Sequence, residues 1–330
     1  MNACLKRCAL LALLTLSLLL TSCASLLPDP VRDAVGTLFP EEEAVFPAAQ
    51  APESAAARRE VTLYFRYGDQ PYLAPEIRTV TIAADQSLEM VLLQELSKGP
   101  GSRSTQLTAA LPEGCGFIAA VAQERTLFVT LGSSILKGWT DEPADWTASA
   151  YWQVEAPLRR QLCMQSIVAT LTENCDYDQV QFLVEQTNVL RDSLRLRQSW
   201  FLDGADDTVL SDPISRQEEL LLSPGNTLRA LLDAWKSRDA ALLYGYLTQR
   251  PDLADCQQAV TDAPLLLSYA FSGGAVSPDG QAIHYTLRLC WQDASGQSRE
   301  TSGLAVRLTR VDGLWKLPWA QFTQLIQAMQ

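Results

Sequence analysis

An almost uncharged apolar run from Cys8 to Leu20, preceded by Lys6 and Arg7 and followed at once by Thr21-Ser22-Cys23, sets the terms for everything after it. Two cations, a short apolar stretch and a small-residue site are the layout of a signal peptide, which is removed from the mature chain. The run falls short of the roughly 20 residues a membrane-spanning helix needs, so cleavage is favoured over a retained span. Residues 1–22 are therefore set aside as leader, and the remainder is expected to fold outside the cytoplasm.

Leu20-Thr21-Ser22-Cys23 resembles the lipobox of bacterial lipoproteins. The resemblance implies that Cys23 carries a diacyl group on its sulfur and becomes the mature N-terminus, which places the protein on the outer face of the cytoplasmic membrane. Two or more acyl chains give a stable anchor where one gives only marginal binding. A secreted chain without lipid is the alternative. Losing Lys6 and Arg7 with the leader takes the formal charge from −12 to about −14. So acidic a body is repelled by nucleic acid and by anionic headgroups alike, which leaves membrane attachment to the lipid on Cys23 and removes nucleic acid as an expected partner.

The segment 23–60 reads as lipid anchor and tether. Pro28, Pro30, Pro40, Pro47 and Pro52 forbid a continuous helix, and Glu41-Glu42-Glu43 repel one another. A short helix near Val31 to Leu38 is still compatible with the sequence. Three adjacent carboxylates without a turn glycine fit a solvated face better than a cation site. About 308 residues remain after the leader, enough for two domains, and 47% hydrophobic with 19% charged residues is a globular composition.

Order is expected from Val61, where Val61-Thr62-Leu63-Tyr64-Phe65 has strand character, with a second strand at Ile77 to Ile82 after a turn at Gly68 and Pro71. Leu88, Val91, Leu92 and Leu96 then fall on one helical face, with Asp85 or Ser87 as cap and Lys98-Gly99-Pro100 as stop. Strands at Phe117 to Ala122 and Thr126 to Leu131 follow the turn Leu111-Pro112-Glu113-Gly114. A helix between Pro157 and Glu173 is predicted from Cys163, Met164, Ile167, Val168 and Leu171, and Val180 to Val184 reads as a buried strand. The class is α+β, in the order ββαββαβ, with helices expected on one face of a small sheet.

Leu63-Tyr64-Phe65, Pro75-Glu76-Ile77-Arg78, Glu95-Leu96-Ser97-Lys98-Gly99-Pro100, Leu111-Pro112-Glu113-Gly114, Ala169-Thr170-Leu171-Thr172-Glu173 and Val180-Gln181-Phe182-Leu183-Val184 occur in that order. Together they resemble a GerMN domain over about 61–187. The resemblance implies an extracytoplasmic, non-enzymatic module of sporulation or germination that contacts other proteins. The chain departs from the pattern at Gln186, at Gly132 and at Glu124-Arg125, which replaces a common Asp-Gly turn.

Residues 188–222 are read as a connecting segment, with Leu194, Leu196, Ser199 and Phe201 hinting at a strand before the polar run Asp203 to Asp207. Ser223-Pro224-Gly225-Asn226 opens a second unit over 223–330. Its helical face is Leu228, Leu231, Leu232 and Trp235, and a short helix follows through Leu242 and Tyr246. Strands are expected at Leu265 to Phe271, Ala282 to Gln292 and Gly303 to Arg310, with Asp312-Gly313 turning into Leu314-Trp315-Lys316-Leu317 and a last helix from Pro318 to Met329. Helices before a meander resemble the cystatin-like cone of NTF2-like and SnoaL-like domains, an architecture that carries no single function.

His284 is the only histidine in the chain, so a cluster of histidine ligands is excluded. On its strand it shares a face with Thr286, Arg288 and Cys290, opposite Tyr285, Leu287, Leu289 and Trp291, which favours a structural residue over a base in a cone pocket near Arg288. Sequence motifs for metal, nucleotide or hydrolase chemistry do not occur, so no cofactor and no catalytic residue is assigned. Five body cysteines, Cys115, Cys163, Cys175, Cys256 and Cys290, leave at least one unpaired. Cys256 with Cys290 is the better candidate pair and buried free thiols the alternative. Two functions emerge: a membrane-tethered scaffold for envelope or sporulation proteins, or a lipoprotein whose C-terminal cone takes a small apolar ligand or glycan against Trp235, Trp291, Trp315 or Trp319.

Overall fold

Strand β1 (Ala57–Tyr67) begins ahead of Val61 because Ala57, Arg58, Arg59 and Glu60 pair with Ile82, Thr81, Val80 and Thr79 of β2 (Leu73–Ile82). The computed structural model describes residues 56–185, 193–200, 209–293 and 295–329, all in one unit that starts at Ala56. Cys23, the leader and the proline-rich segment lie outside the described residues, as do Gln186, Phe201 and Asp203 to Asp207.

Helix α1 (Leu88–Ser97) starts where Ser87 accepts a hydrogen bond from Met90 N at 3.2 Å, and it buries Val91, Leu92, Leu93 and Leu96. It stops at Lys98, with Gly99 at φ 78°, a left-handed value that favours glycine. Strand β3 (Leu107–Thr108) meets β1 only at Arg66 and Tyr67, which gives a three-stranded sheet in the order β2-β1-β3. A second sheet holds β4 (Phe117–Gln123), β5 (Thr126–Leu131), β6 (Gln179–Glu185) and β7 (Ser193–Arg195) in that order, with β8 (Ile214–Ser215) also on β6. The α+β class holds, but the one small sheet expected is two. At the β4–β5 turn Glu124 adopts φ 54°, so a glutamate occupies the left-handed position that glycine takes without penalty.

The sheet splits because a helix occupies the far edge of β1. Helix α2 (Ala150–Asn174) lays Ser166, Thr170 and Asn174, one stripe at i, i+4 and i+8, against the β1 backbone. Ser166 Oγ donates to Tyr64 O at 2.5 Å, and Thr170 Oγ1 accepts from Tyr64 N at 3.1 Å. The Asn174 amide accepts from Thr62 N at 3.0 Å and donates to Thr62 O at 2.8 Å. Side chains thus supply the ladder a neighbouring strand would supply, and they answer buried backbone groups that would otherwise be costly. Helix α2 starts at Ala150, earlier than expected, and carries Pro157 inside it. An interior proline loses one helical hydrogen bond. The turns before it are held from outside by Glu155, which is ion-paired to Arg66 of β1.

Beyond residue 222, helix α3 (Pro224–Lys236) is capped by Ser223, which accepts from Asn226 N at 3.2 Å, and it buries Leu228, Leu231, Leu232 and Trp235 as expected. Then come α4 (Ala240–Gly245), β9 (Leu247–Thr248) and α5 (Leu253–Asp262). Helix α5 leaves little trace in the sequence pattern, since its buried stripe is only Cys256 and Val260. The meander β10 (Leu265–Val276), β11 (Ala282–Gln292), β12 (Ser298–Val311) and β13 (Leu314–Pro318) forms a sheet with β9 parallel to β13 at its edge, and α6 (Trp319–Gln327) closes the chain. Asp312 at φ 51° and Gly313 at φ 82° form the expected hairpin turn. Among the described residues no helix is long and apolar enough to cross a membrane.

Replacing Thr170 by Val keeps the shape of the side chain and removes the acceptor for Tyr64 N. The variant should lose about 1–3 kcal/mol of stability in urea unfolding, with the slope unchanged. A loss within error would mean that α2 does not stand in for a strand.

Candidate functional site

Four of the six blocks that carry the GerMN resemblance gather into two hydrogen-bonded knots. In the first, Arg78 of β2 pairs with Glu76, bonds Glu95 Oε2 at 2.8 Å and donates to Gly99 O at 3.0 Å, while Glu76 Oε2 accepts from Gly101 N at 2.9 Å. One guanidinium thus joins Pro75-Glu76-Ile77-Arg78 to Glu95-Leu96-Ser97-Lys98-Gly99-Pro100 and pins the end of α1 onto β2. Burial opposes the charges on Glu76 and Glu95, yet hydrogen bonds and the Arg78 charge (with Lys98 for Glu95) outweigh it and hold both carboxyls below their usual range. The second knot is the stripe on β1 described above, where Thr170 of Ala169-Thr170-Leu171-Thr172-Glu173 meets Tyr64 of Leu63-Tyr64-Phe65.

An ion-pair chain that runs from a buried pair out to the surface extends the second knot. Arg66 makes a two-pronged contact with Glu155, at 2.5 and 3.0 Å, and donates to Gln70 O and Asp69 O. Arg159 bridges Glu155 at 2.7 Å to Asp141 at 2.7 and 2.9 Å. Burial would raise the Glu155 carboxyl, but the hydrogen bonds from Arg66 and Arg159 prevail and keep it low. Every member is paired, so the group reads as a clamp on α2.

A different polar centre lies where residues 103–107 approach β9 and β13. Lys316, only 6% exposed, donates to Gly245 O at 2.7 Å and to Gln106 Oε1, and has Tyr67 Oη at 3.4 Å. Tyr67 Oη itself donates to Gly245 O at 2.6 Å, and its ring lies 5.5 Å from that of Tyr246. No carboxylate pairs with this ammonium among the described residues. Burial, with Arg250 adding to it, pulls the Lys316 amine down to about 8, and burial pushes the Tyr67 phenol up to about 12. Lys316 opens onto a cleft of about 550 Å³ that Arg103, Thr248, Arg250 and Asp312 also line. No sequence signal marks this centre, because the partners of Lys316 stand 71, 210 and 249 residues away.

The residues singled out from sequence do not converge on one pocket. His284 is exposed on the outer face of β11, so it is no base in a cone pocket. Trp235 is core and packs edge-on against Phe322 at 5.1 Å, with Trp319 on the same ring at 5.6 Å. Trp315 is partly buried against the core, while Trp291 lines an open cavity of about 720 Å³ with Arg238, Asp262 and Asp293. All five body cysteines are free thiols. The pairing of Cys256 with Cys290 fails because Cys256 is wholly buried in α5 whereas Cys290 lies on the outer face of β11 with His284. Cys163 instead feels the charge of Cys115, and burial raises both thiols, Cys115 to about 12. Cys23, the expected lipidation site, lies outside the described residues.

Comparison with known proteins follows the same division. Residues 62–190 match the Germane family of sporulation and spore germination, so this segment is a GerMN-like domain. No curated protein sequence matches the chain. Among solved structures, the tandem GerMN domains of the sporulation protein GerM from Bacillus subtilis are similar at 16% identity and TM-score 0.31, covering 53% of this chain and 51% of that one. The first GerMN domain of the same protein aligns at 17% identity and TM-score 0.30, over 48% of this chain and 98% of that one. A Clostridium perfringens protein described as a candidate lipoprotein aligns at 19% identity and TM-score 0.26, over 50% and 91%. The chain thus spans about half the length of the tandem GerMN protein that it matches.

Two outcomes follow from this geometry. Glu155→Gln leaves Arg66 buried without a counter-charge and should cost about 3–5 kcal/mol, read by denaturant unfolding, whereas a cost under 1 kcal/mol would show the clamp to be ornamental. Lys316 is more easily protonated in the unfolded chain than in the folded one, so folding releases protons between pH of about 8 and 10.5. Its burial therefore weighs against the fold below pH 8, and stability rises as pH climbs through that window. Relative to Lys316→Met, the wild-type unfolding midpoint should gain between pH 7 and pH 10, and parallel pH profiles would contradict the assignment.

Proposed function

We propose that this protein is a lipid-anchored, extracytoplasmic scaffold without catalysis that holds envelope proteins together during sporulation or germination. The match of residues 62–190 to a sporulation and germination family supports the process. Support for a scaffold comes from how the motif residues are used. Glu76, Arg78, Glu95, Thr170 and Tyr64 all make bonds inside the fold, so the family pattern describes a rigid module and leaves recognition to its surface.

Among the described strands of the GerMN-like domain one edge is suitable. Strand β4 ends its sheet, has neither charge nor proline from Phe117 to Gln123, and leaves Ile118 and Val121 exposed. Edge strands are normally blunted by charge or proline, and an open one suits addition of an extended segment from an envelope protein. Anchoring through Cys23 would hold that edge outside the membrane, at a height set by the proline-rich tether.

The test is a photo-reactive residue at Val121, with His284 on the opposite domain as control, in sporulating and growing cultures of the native host. A crosslink to an envelope protein from Val121 alone, in sporulating cells alone, is the expected result. No crosslink from Val121, or equal capture from His284, would overturn the reading.

A further inference from the structure

The cleft beside Lys316 is unusual for so acidic a chain, since it concentrates positive charge. Its wall holds Arg103, Arg250 and Lys316 against the single carboxylate of Asp312, which leaves two positive charges around a space of about 550 Å³. Arg66, Arg78, Arg125, Arg159, Arg160, Arg216 and Arg299 have carboxylate partners. Arg103 and Arg250 have none among the described residues. Arg250 is instead held in place from below, donating to Tyr244 O and lying 3.6 Å above the Tyr244 ring.

Lys316 adds a second, independent observation. It is a buried ammonium held only by neutral oxygens, and its contact with Tyr67 Oη at 3.4 Å is longer than a well-formed hydrogen bond. The Asp312 carboxylate acts on it without a direct bond, and a buried charge so weakly matched is unfavourable unless something compensates it. Thr105 and Thr248 on the same wall carry further hydroxyls, while that of Ser104 is engaged with Glu76.

We propose that this cleft binds the phosphate group of a small phosphoester, with Arg103, Arg250 and Lys316 as its counter-charges. The two excess positive charges match a phosphate monoester, which carries about −1.5 to −2 at neutral pH. A monocarboxylate would neutralise only half of the excess. The volume is several times that of bare phosphate and lies in the range of small-molecule pockets, roughly 300–1,000 Å³, so the phosphate arrives with an organic substituent. The site is separate from β4, and its failure would leave the scaffold reading untouched.

The experiment is isothermal titration of the full-length protein in detergent with glycerol 3-phosphate, with acetate as the monoanion comparison. Arg103→Gln is the primary variant, because Arg103 is exposed and its loss leaves the fold intact; Lys316→Met is the second. Saturable binding of glycerol 3-phosphate, weakened about tenfold or more in both variants while acetate binds neither measurably nor specifically, is the expected result. A parallel arm uses vesicles of phosphatidylglycerol against phosphatidylcholine: competition by phosphatidylglycerol would place the same phosphate on a lipid headgroup, and its absence on a soluble ester. No saturable binding of glycerol 3-phosphate, or equal affinity in wild type and Arg103→Gln at an unchanged unfolding midpoint, would overturn the proposal.

Discussion

Strand β1 pairs with β2 along one edge and turns the other toward helix α2, and the arrangement of the GerMN-like segment depends on how that second edge is satisfied. Ser166, Thr170 and Asn174 give Tyr64 and Thr62 the donors and acceptors of a missing strand. With the edge so covered, the sheet stops at three strands, and the chain can build a second sheet around β5 and β6 without the two merging. The Arg66–Glu155 pair sets the register of α2 along β1, since a shift of one turn would carry the polar stripe past its backbone partners.

The same constraint explains what the family pattern means physically. Arg78 and Glu95 stand 17 residues apart and Tyr64 and Thr170 stand 106 apart, yet Arg78 draws two blocks together and Thr170 draws two more. Residues of this kind define a shape, and the match over 62–190 identifies that shape. What the protein contacts is a matter for the parts the pattern leaves free, among them β4 and the cationic cleft around Lys316.

Much of this was legible in the sequence wherever local chemistry decides. The Ser87 cap, the Gly99 stop, the helix start at Ser223-Pro224-Gly225-Asn226 and the Asp312-Gly313 turn each depend on neighbours within a few residues, and all formed as expected. Alternation placed His284 outside and Leu287 inside because β11 is covered on one face only. Failures share a different cause. Pro157 argued for a helix start, but the turns before it are fixed by Arg66, 89 residues away. Helix α5 escaped notice because two buried residues make too thin a stripe, and nothing in the sequence singles out Lys316 because each of its partners is distant. Four tryptophans suggested a lined pocket, yet Trp235 and Trp319 pack on Phe322 and fill the space themselves.

The account rests most directly on helix side chains acting as a strand, and amide hydrogen exchange of the full chain measures this residue by residue. The Tyr64 and Thr62 amides should exchange as slowly as those in the interior of the β5–β6 ladder, such as Val129. Exchange of Tyr64 and Thr62 at the fast rate of exposed edge amides would contradict it.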